Sequence, residues 1–179
     1  MAPVVGKVMQ PVGFEVLRVN VATGDVEVFA TIPWFPSARH FRRWSRAGRL
    51  VSVPESDNID GLTVRHPRVA YLPRIGNVVS GPLYAASLAT RALPYRGRVD
   101  AVLGSWAYPD GYAAVVLAGL LGVPAIVKLH GSDINVLSKV KSALPGIAWT
   151  LRHAARIVAV SGPLAERAAE LGAPRENID

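Results

Sequence analysis

The chain has 179 residues, of which 50% are hydrophobic and 18% charged, with 20 lysines and arginines, 13 acidic residues and no cysteine. This composition excludes an intrinsically disordered chain, a disulfide framework, a thiolate metal site and a cysteine nucleophile, and the length suits one domain. The net charge of +7 is compatible with a solvated basic surface, with binding to an anionic membrane and with binding to nucleic acid, and it does not distinguish among these three.

The first segments predict strands and turns. Residues 14–21 alternate polar and apolar side chains, and a turn at 22–25 leads into a strand over 25–32, which together predict a β-hairpin. The sequence Pro-Trp-Phe-Pro at 33–36 predicts a rigid aromatic turn.

A basic cluster follows, with Phe41 and Trp44 between its arginines. A solvated face is the first interpretation, contact with an anionic bilayer or a phosphate-bearing acceptor the second, and nucleic acid a distant third, since no recognition motif is present. The cluster consists of Arg39, Arg42, Arg43, Arg46 and Arg49.

The rest of the chain predicts alternating elements. A turn at Asp60-Gly61 precedes a strand, and a helix of small residues then leads into three strand–helix units with continuous apolar strands. This order is typical of a parallel sheet in an α/β fold. The predicted strands are 62–66, 100–104, 124–129 and 156–160. The predicted helices are 84–93, 108–121, 137–155 (with a break or restart at Pro145-Gly146) and 163–171.

Polar residues follow three of these strands. Because ligands of open parallel sheets bind beyond the carboxyl ends of the strands, we expect the loops 104–111, 130–133 and 161–162 to open on one edge. His130 either contacts a ligand there or only satisfies a backbone group, and the aromatic residues of the first loop suit a sugar ring. Each of the other candidates either contacts a ligand or only caps or starts a helix. They are Gly131, Ser132, Asp133, Trp106, Tyr108, Asp110 and Ser161.

Several signatures are absent from the sequence. It has no phosphate-binding loop of the GxxxxGK[ST] type, no GxGxxG and no GxSxG, which disfavours NTPases, dinucleotide dehydrogenases and α/β-hydrolases. The uncharged segment 111–127 contains Gly-Val-Pro at 122–124, so we interpret it as a helix, a turn and a strand rather than a membrane span. With no signal peptide recognised, the expected location is the cytoplasm.

The order of motifs over residues 26–179 resembles the N-terminal half of family-4 glycosyltransferases, which have the two-domain GT-B fold. The most specific part is Ala-Tyr-Pro-Asp-Gly at 107–111 followed by Gly-Val-Pro-Ala-Ile-Val-Lys-Leu-His-Gly-Ser-Asp-Ile at 122–134. Further similar segments are 31–36, 59–67, 156–161, 171–172 and 177–178.

The resemblance implies a Rossmann-like, doubly wound parallel sheet that forms the acceptor-side domain of a retaining glycosyltransferase. Such an enzyme moves a sugar from a nucleotide-sugar, its co-substrate, to a glycan or lipid-linked acceptor, with no metal and no further cofactor. The histidine matching His130 then lies near the transferred sugar and bonds a hydroxyl rather than acting as a base. Relatives often build exopolysaccharide or cell-wall polymers at the inner membrane face, where Arg39, Arg42, Arg43 and Arg46 would contact membrane or phosphate. No nucleic-acid partner is expected.

Two departures accompany this resemblance. Residues 1–24 do not match the strand, Gly-rich loop and helix with which the family opens, and we attribute this to a gene-model error upstream of Asp25. The family continues beyond the point that matches Asp179 into a donor-binding domain, so we expect 25–179 to be the acceptor-side domain and the 179-residue chain to be inactive alone. The alternatives are a non-catalytic module that binds a sugar-phosphate or lipid-phosphate, and a partner subunit of a split transferase.

Overall fold

A computed structural model describes residues 15–19, 26–34, 53–59, 61–72 and 76–179. The sheet of seven strands has the order β4-β5-β2-β1-β7-β8-β9, and β3 pairs with β6 in a small second sheet. The described strands are β1 (Glu15–Val19), β2 (Val26–Ala30), β3 (Ile32–Trp34), β4 (Ser56–Ile59), β5 (Leu62–Arg65), β6 (Arg68–Ala70), β7 (Ala101–Ser105), β8 (Ala125–Leu129) and β9 (Arg156–Ala159).

The strand directions confirm a Rossmann-like α/β fold and correct one detail of it. Strands β7, β8 and β9 are parallel to each other, as are β2 and β5. Strand β1, however, runs antiparallel to both β2 and β7, and β4 runs antiparallel to β5, so the sheet is mixed rather than wholly parallel. The predicted hairpin is confirmed: Glu15 pairs with Ala30, and Val19 with Val26.

The helices lie between the strands as the alternating pattern predicts. Gly122 (φ +77°) ends the helix Tyr112–Leu121 and Gly172 (φ +105°) follows the helix Gly162–Glu170, both in conformations that favour glycine. The buried residues Phe29, Val102 and Leu117 belong to a core beside α1 and α2, whereas Val127 and Ile157 belong to a second core beside α4 and α5. The described helices are α1 (Gly76–Ala92), α2 (Tyr112–Leu121), α3 (Ser132–Asn135), α4 (Leu144–His153) and α5 (Gly162–Glu170).

Several predicted elements differ from the structure. The helix predicted at 84–93 begins earlier, at Gly76. The predicted helix 137–155 is a 3₁₀ turn at Leu137–Lys139 followed by α4, and Pro145 stands in the first turn of α4, so the predicted break or restart is a restart. Pro33 and Trp34 lie in β3, not in a turn. The ladder bonds there are donated by Ile32 N to Pro67 O (2.9 Å) and by Tyr71 N to Trp34 O (2.8 Å), so the missing N–H of Pro33 is not needed.

The apolar segment 111–127 folds inside the domain. It forms α2, the left-handed Gly122 and β8, as predicted. Within the described ranges, no helix combines the length and the apolar character needed to cross a bilayer.

Candidate functional site

The loops after β7 and β8 meet at the carboxyl edge of the sheet. Ser105 Oγ and His130 Nε2 form a hydrogen bond of 2.8 Å between the two loops. Next to it, Trp106 N donates to Lys128 O (2.9 Å) and so joins the first loop to β8. The imidazole of His130 therefore stands on the exposed edge with one ring nitrogen already oriented.

The Asp133 side chain connects these two loops through hydrogen bonds to the backbone. Its side chain is fully buried, and Oδ2 accepts a hydrogen bond from Ala107 N (2.9 Å). Oδ1 accepts from His130 N (3.1 Å) and from Ile134 N (3.1 Å). The carboxylate therefore positions the two loops, and the predicted ligand contact by Asp133 stays a prediction.

Both loops contain a residue at positive φ. Gly131 has φ +95°, which glycine adopts without steric cost. Trp106 has φ +93° and ψ +141°, a conformation that costs a residue with a Cβ roughly 1–3 kcal/mol and that clusters at binding and catalytic sites. The half-buried Trp106 side chain follows Ser105 directly, so the strained residue adjoins the Ser105–His130 pair.

Tyr108 packs inside the domain between two helices. Its hydroxyl donates to Asn77 O (2.8 Å) and accepts from Gly81 N (2.9 Å), and the side chain is only 2% exposed. A Cβ at Gly81 or Gly146 would lie within 2.7 Å of the Tyr108 ring, so both glycines make room for it. The ring is enclosed by helices α1 and α4, and the predicted contact between Tyr108 and a sugar stays a prediction.

Asp110 is also fully buried, in the turn before α2. The predicted ligand contact by Asp110 stays a prediction. The Asp110 charge acts on Tyr84, whose hydroxyl forms a hydrogen bond with Thr31 Oγ1. Burial first, and the Asp110 charge second, raise the pKa of Tyr84 well above its usual value near 10, while the bond to Thr31 opposes this shift.

Replacing Tyr84 by phenylalanine is expected to weaken the loss of stability at alkaline pH. Because the folded-state pKa is raised, the stabilisation by neutral Tyr84 is complete below about pH 10 and is lost as the pH rises through the folded value. Urea unfolding between about pH 9 and 11.5 should show a smaller decline in unfolding free energy for Tyr84→Phe than for wild type. The exposed Tyr71 supplies the control, since Tyr71→Phe should keep the wild-type decline.

Three other candidates stand at the surface. Ser132 and Ser161 are exposed, and Gly131 is half-buried. Ser161 follows β9 and occupies the predicted capping position of α5, but its hydroxyl makes no capping hydrogen bond. Contacts between a ligand and Trp106, His130, Gly131, Ser132 or Ser161 stay predictions.

The sequence missed Ser105 as a site residue. The usable signal was a hydroxyl on the last residue of β7, beside a strand that is followed directly by a histidine. The basic cluster lies outside the described residues. Across the described part of the chain, no group of three or more histidine or acidic side chains is arranged to hold a metal ion.

The chain matches a known protein family. The sequence model of the glycosyl transferase 4-like domain matches residues 8–179, and so includes residues 8–24, which the resemblance of motifs did not reach. No curated protein matches the chain significantly.

Proposed function

The chain belongs to the glycosyl transferase 4-like domain family, and from this we propose that it is the acceptor-side domain of a retaining glycosyltransferase. The enzyme would transfer a sugar from a nucleotide-sugar to a glycan or lipid-linked acceptor in polysaccharide biosynthesis, without metal or further cofactor. The observation that carries the proposal is the exposed His130, bonded to Ser105 and held by buried Asp133 at the carboxyl ends of the parallel strands β7 and β8.

The residues at this edge have separate roles in the proposal. His130 donates a hydrogen bond to a sugar hydroxyl, and Ser105 fixes the orientation of the imidazole ring. Trp106, Gly131, Ser132 and Ser161 line the acceptor opening, with the indole available to pack on ring C–H groups.

His130 is assigned to hydrogen bonding rather than to proton abstraction. The carboxylates in the loops after β7 and β8, Asp110 and Asp133, are both fully buried, and the Asp133 oxygens accept backbone N–H groups rather than the imidazole. Among the residues that the structure describes, the His130 ring therefore has no carboxylate partner of the kind that usually orients and supports a general base.

We further propose a cytoplasmic location with peripheral contact at the inner membrane face. The net charge of +7 and the basic cluster (Arg39, Arg42, Arg43 and Arg46 in particular) support this contact, since anionic headgroups attract clustered arginines.

A binding experiment tests the proposal on the 179-residue chain. Saturation-transfer NMR would compare short neutral oligosaccharides and a farnesyl-phosphate-linked hexose with UDP-glucose and GDP-mannose. We expect binding of at least one acceptor probe, and a loss of about tenfold in its affinity in His130→Ala, the equivalent of one good hydrogen bond.

His153 provides the matched control, because it is a second exposed histidine, at the far end of α4. His153→Ala should bind the acceptor probe like wild type. Equal affinity of His130→Ala and wild type, or binding of nucleotide-sugars without any acceptor probe, would contradict the proposed acceptor role.

A further inference from the structure

An apolar surface patch follows the His130 loop in the chain. Val136 follows helix α3, Val140 follows the next turn, and Leu144 begins α4. All three side chains are exposed, Val136 by 64%. Exposed apolar residues are normally scattered singly over a folded surface, and a group of them marks an interaction site. Two lysines stand between these residues, and we call the set the valine patch. It consists of Val136, Lys139, Val140, Lys141 and Leu144.

Hydrogen bonds between residues three and four apart fix the backbone of the valine patch. Val136 N donates to Ser132 O (3.0 Å), and Lys139 N donates to Val136 O (3.1 Å). Further along, Leu144 N donates to Val140 O (3.1 Å). Backbone N–H groups that are already paired can enter an apolar medium without the cost of unmade hydrogen bonds. The local fold therefore allows this surface to be buried against lipid.

The core of the domain does not use the exposed side chains of the patch. Ile134, Ala143 and Ile147 stand beside them in the sequence and are fully buried in the core beside α4 and α5. The segment thus has apolar side chains on its outer side as well as on its inner side. Because an apolar side chain gains free energy when it leaves water, the outer set favours contact with a second apolar phase.

The surroundings of the patch are basic. From residue 134 to residue 165 the sequence has no acidic residue, whereas Lys139 and Lys141 are both exposed within the patch. On the neighbouring helix α5, Glu166 and Glu170 each pair with an arginine, so these carboxylates are already neutralised. Apolar side chains beside lysines are typical of a surface that enters an anionic bilayer.

We propose that the valine patch docks the protein on an anionic membrane, with its apolar side chains among the acyl chains and its lysines at the lipid phosphates. A second copy of the chain is a poorer occupant, because a two-fold contact would bring the lysines of both patches opposite each other. A bilayer offers both the apolar phase and the opposite charge.

The patch adjoins the candidate site. Helix α3 begins directly after Gly131, and the distance along its axis from Ser132 to Val136 is about 6 Å at 1.5 Å per residue. Docking would hold the His130 edge near the lipid headgroups, where a lipid-linked acceptor presents its sugar. This consequence rests on the proposed function, whereas the docking itself needs no acceptor.

A site-specific fluorophore tests the docking. The chain has no cysteine, so Val140→Cys and Leu120→Cys can each be labelled at one position with the polarity-sensitive dye NBD. The labelled chain is titrated with vesicles of equal parts phosphatidylcholine and phosphatidylglycerol, and with phosphatidylcholine alone. We expect a blue shift and quenching by spin-labelled lipid at position 140 but not at position 120, and at least tenfold weaker binding without phosphatidylglycerol. Leu120 is exposed at the end of α2, at the amino edge of the parallel strands.

Unlabelled variants assign the apolar contribution. Val136→Ser/Val140→Ser should lower the vesicle affinity at least tenfold, because it removes the side chains that insert. Leu93→Ser/Leu120→Ser is the matched control, since both leucines are exposed at the amino edge, and it should bind like wild type. Urea unfolding of each variant checks that the fold is kept.

A second pair of variants assigns the charge contribution. Lys139→Gln/Lys141→Gln should lower the affinity for the anionic vesicles about tenfold, at roughly 1 kcal/mol for each lysine near the surface. Arg91→Gln/Arg96→Gln removes two exposed arginines outside the patch and should bind like wild type.

The outcomes separate the valine patch from the His130 edge and from the basic cluster. His130→Ala should bind the vesicles normally, whether or not the acceptor test succeeds. The proposal is overturned if position 140 shows no blue shift, if both patch variants retain wild-type affinity, or if the label at 140 is shielded at high protein concentration without vesicles, which would identify a second copy. Binding lost only in Arg42→Gln/Arg43→Gln would assign the contact to the basic cluster and would also overturn it.

Discussion

Asp133→Asn is expected to lower the free energy of unfolding by about 2–4 kcal/mol, because it leaves a buried N–H group without an acceptor. The carboxylate uses both oxygens to accept bonds from Ala107 N, His130 N and Ile134 N. An amide has only one acceptor oxygen, so in either orientation its NH₂ group faces at least one of these backbone donors. Urea unfolding at neutral pH measures the loss.

The same substitution should loosen the loops that carry the site. Amide hydrogen exchange at Ala107 and His130 should become faster in Asp133→Asn, since these N–H groups lose their carboxylate acceptor. Glu170→Gln is the matched acid-to-amide control, because Glu170 forms an exposed pair with Arg167 (2.6 Å) and such pairs are worth about 0–1 kcal/mol. An equally small loss in Asp133→Asn would show that the carboxylate does not organise the two loops.

Gly146→Ala is expected to destabilise the protein by about 1–3 kcal/mol, even though alanine favours a helix more than glycine does by about 1 kcal/mol. The added Cβ would lie 2.3 Å from Cε2 of Tyr108. That ring cannot move aside cheaply, because it is buried and its hydroxyl is bonded to Asn77 O and Gly81 N. Thermal and urea unfolding both report the effect.

The chain offers a control with the same chemical change. Gly119 lies within α2, and a Cβ there meets no atom within 4 Å. Gly119→Ala should therefore stabilise the protein by about 0.5–1 kcal/mol, the helix preference of alanine alone. If Gly146→Ala were stabilising as well, the packing of Tyr108 between α1 and α4 would be disproved.

The elements that were predictable from sequence are those determined by residues close together in the chain. Strands β7, β8 and β9 are short apolar segments, and Gly122 and Gly172 stand where their helices end, so each appears within a window of about ten residues. The common edge for the three loops followed from strand direction alone. Pro33 in β3 was not predictable, because the donor that it lacks is superfluous only in the register with β6.

The contacts that shape the candidate site join residues that are far apart in the sequence. Ser105 and His130 are 25 residues apart, and Tyr108 bonds to Gly81 at a separation of 27. Periodicity and capping rules act over a few residues, so they indicate that Asp133 starts a helix but not that it binds Ala107 N across the loops. Residue type identified the candidates, and tertiary packing separated exposed His130 from buried Tyr108, Asp110 and Asp133.

The antiparallel strand β1 joins two groups of strands that otherwise share no hydrogen bonds in the sheet order of the described residues. Through its five residues, β4-β5-β2 on one side is paired with β7-β8-β9 on the other. Its hairpin partner β2 is close in sequence, whereas Glu15 pairs with Ser105 at a sequence separation of 90. The pairing with β7 therefore costs more loop-closure entropy and is expected to form later. Until β7 docks, β1 presents an open edge of the kind that recruits strands from other chains. The strand that completes the sheet is therefore also where self-association competes with folding.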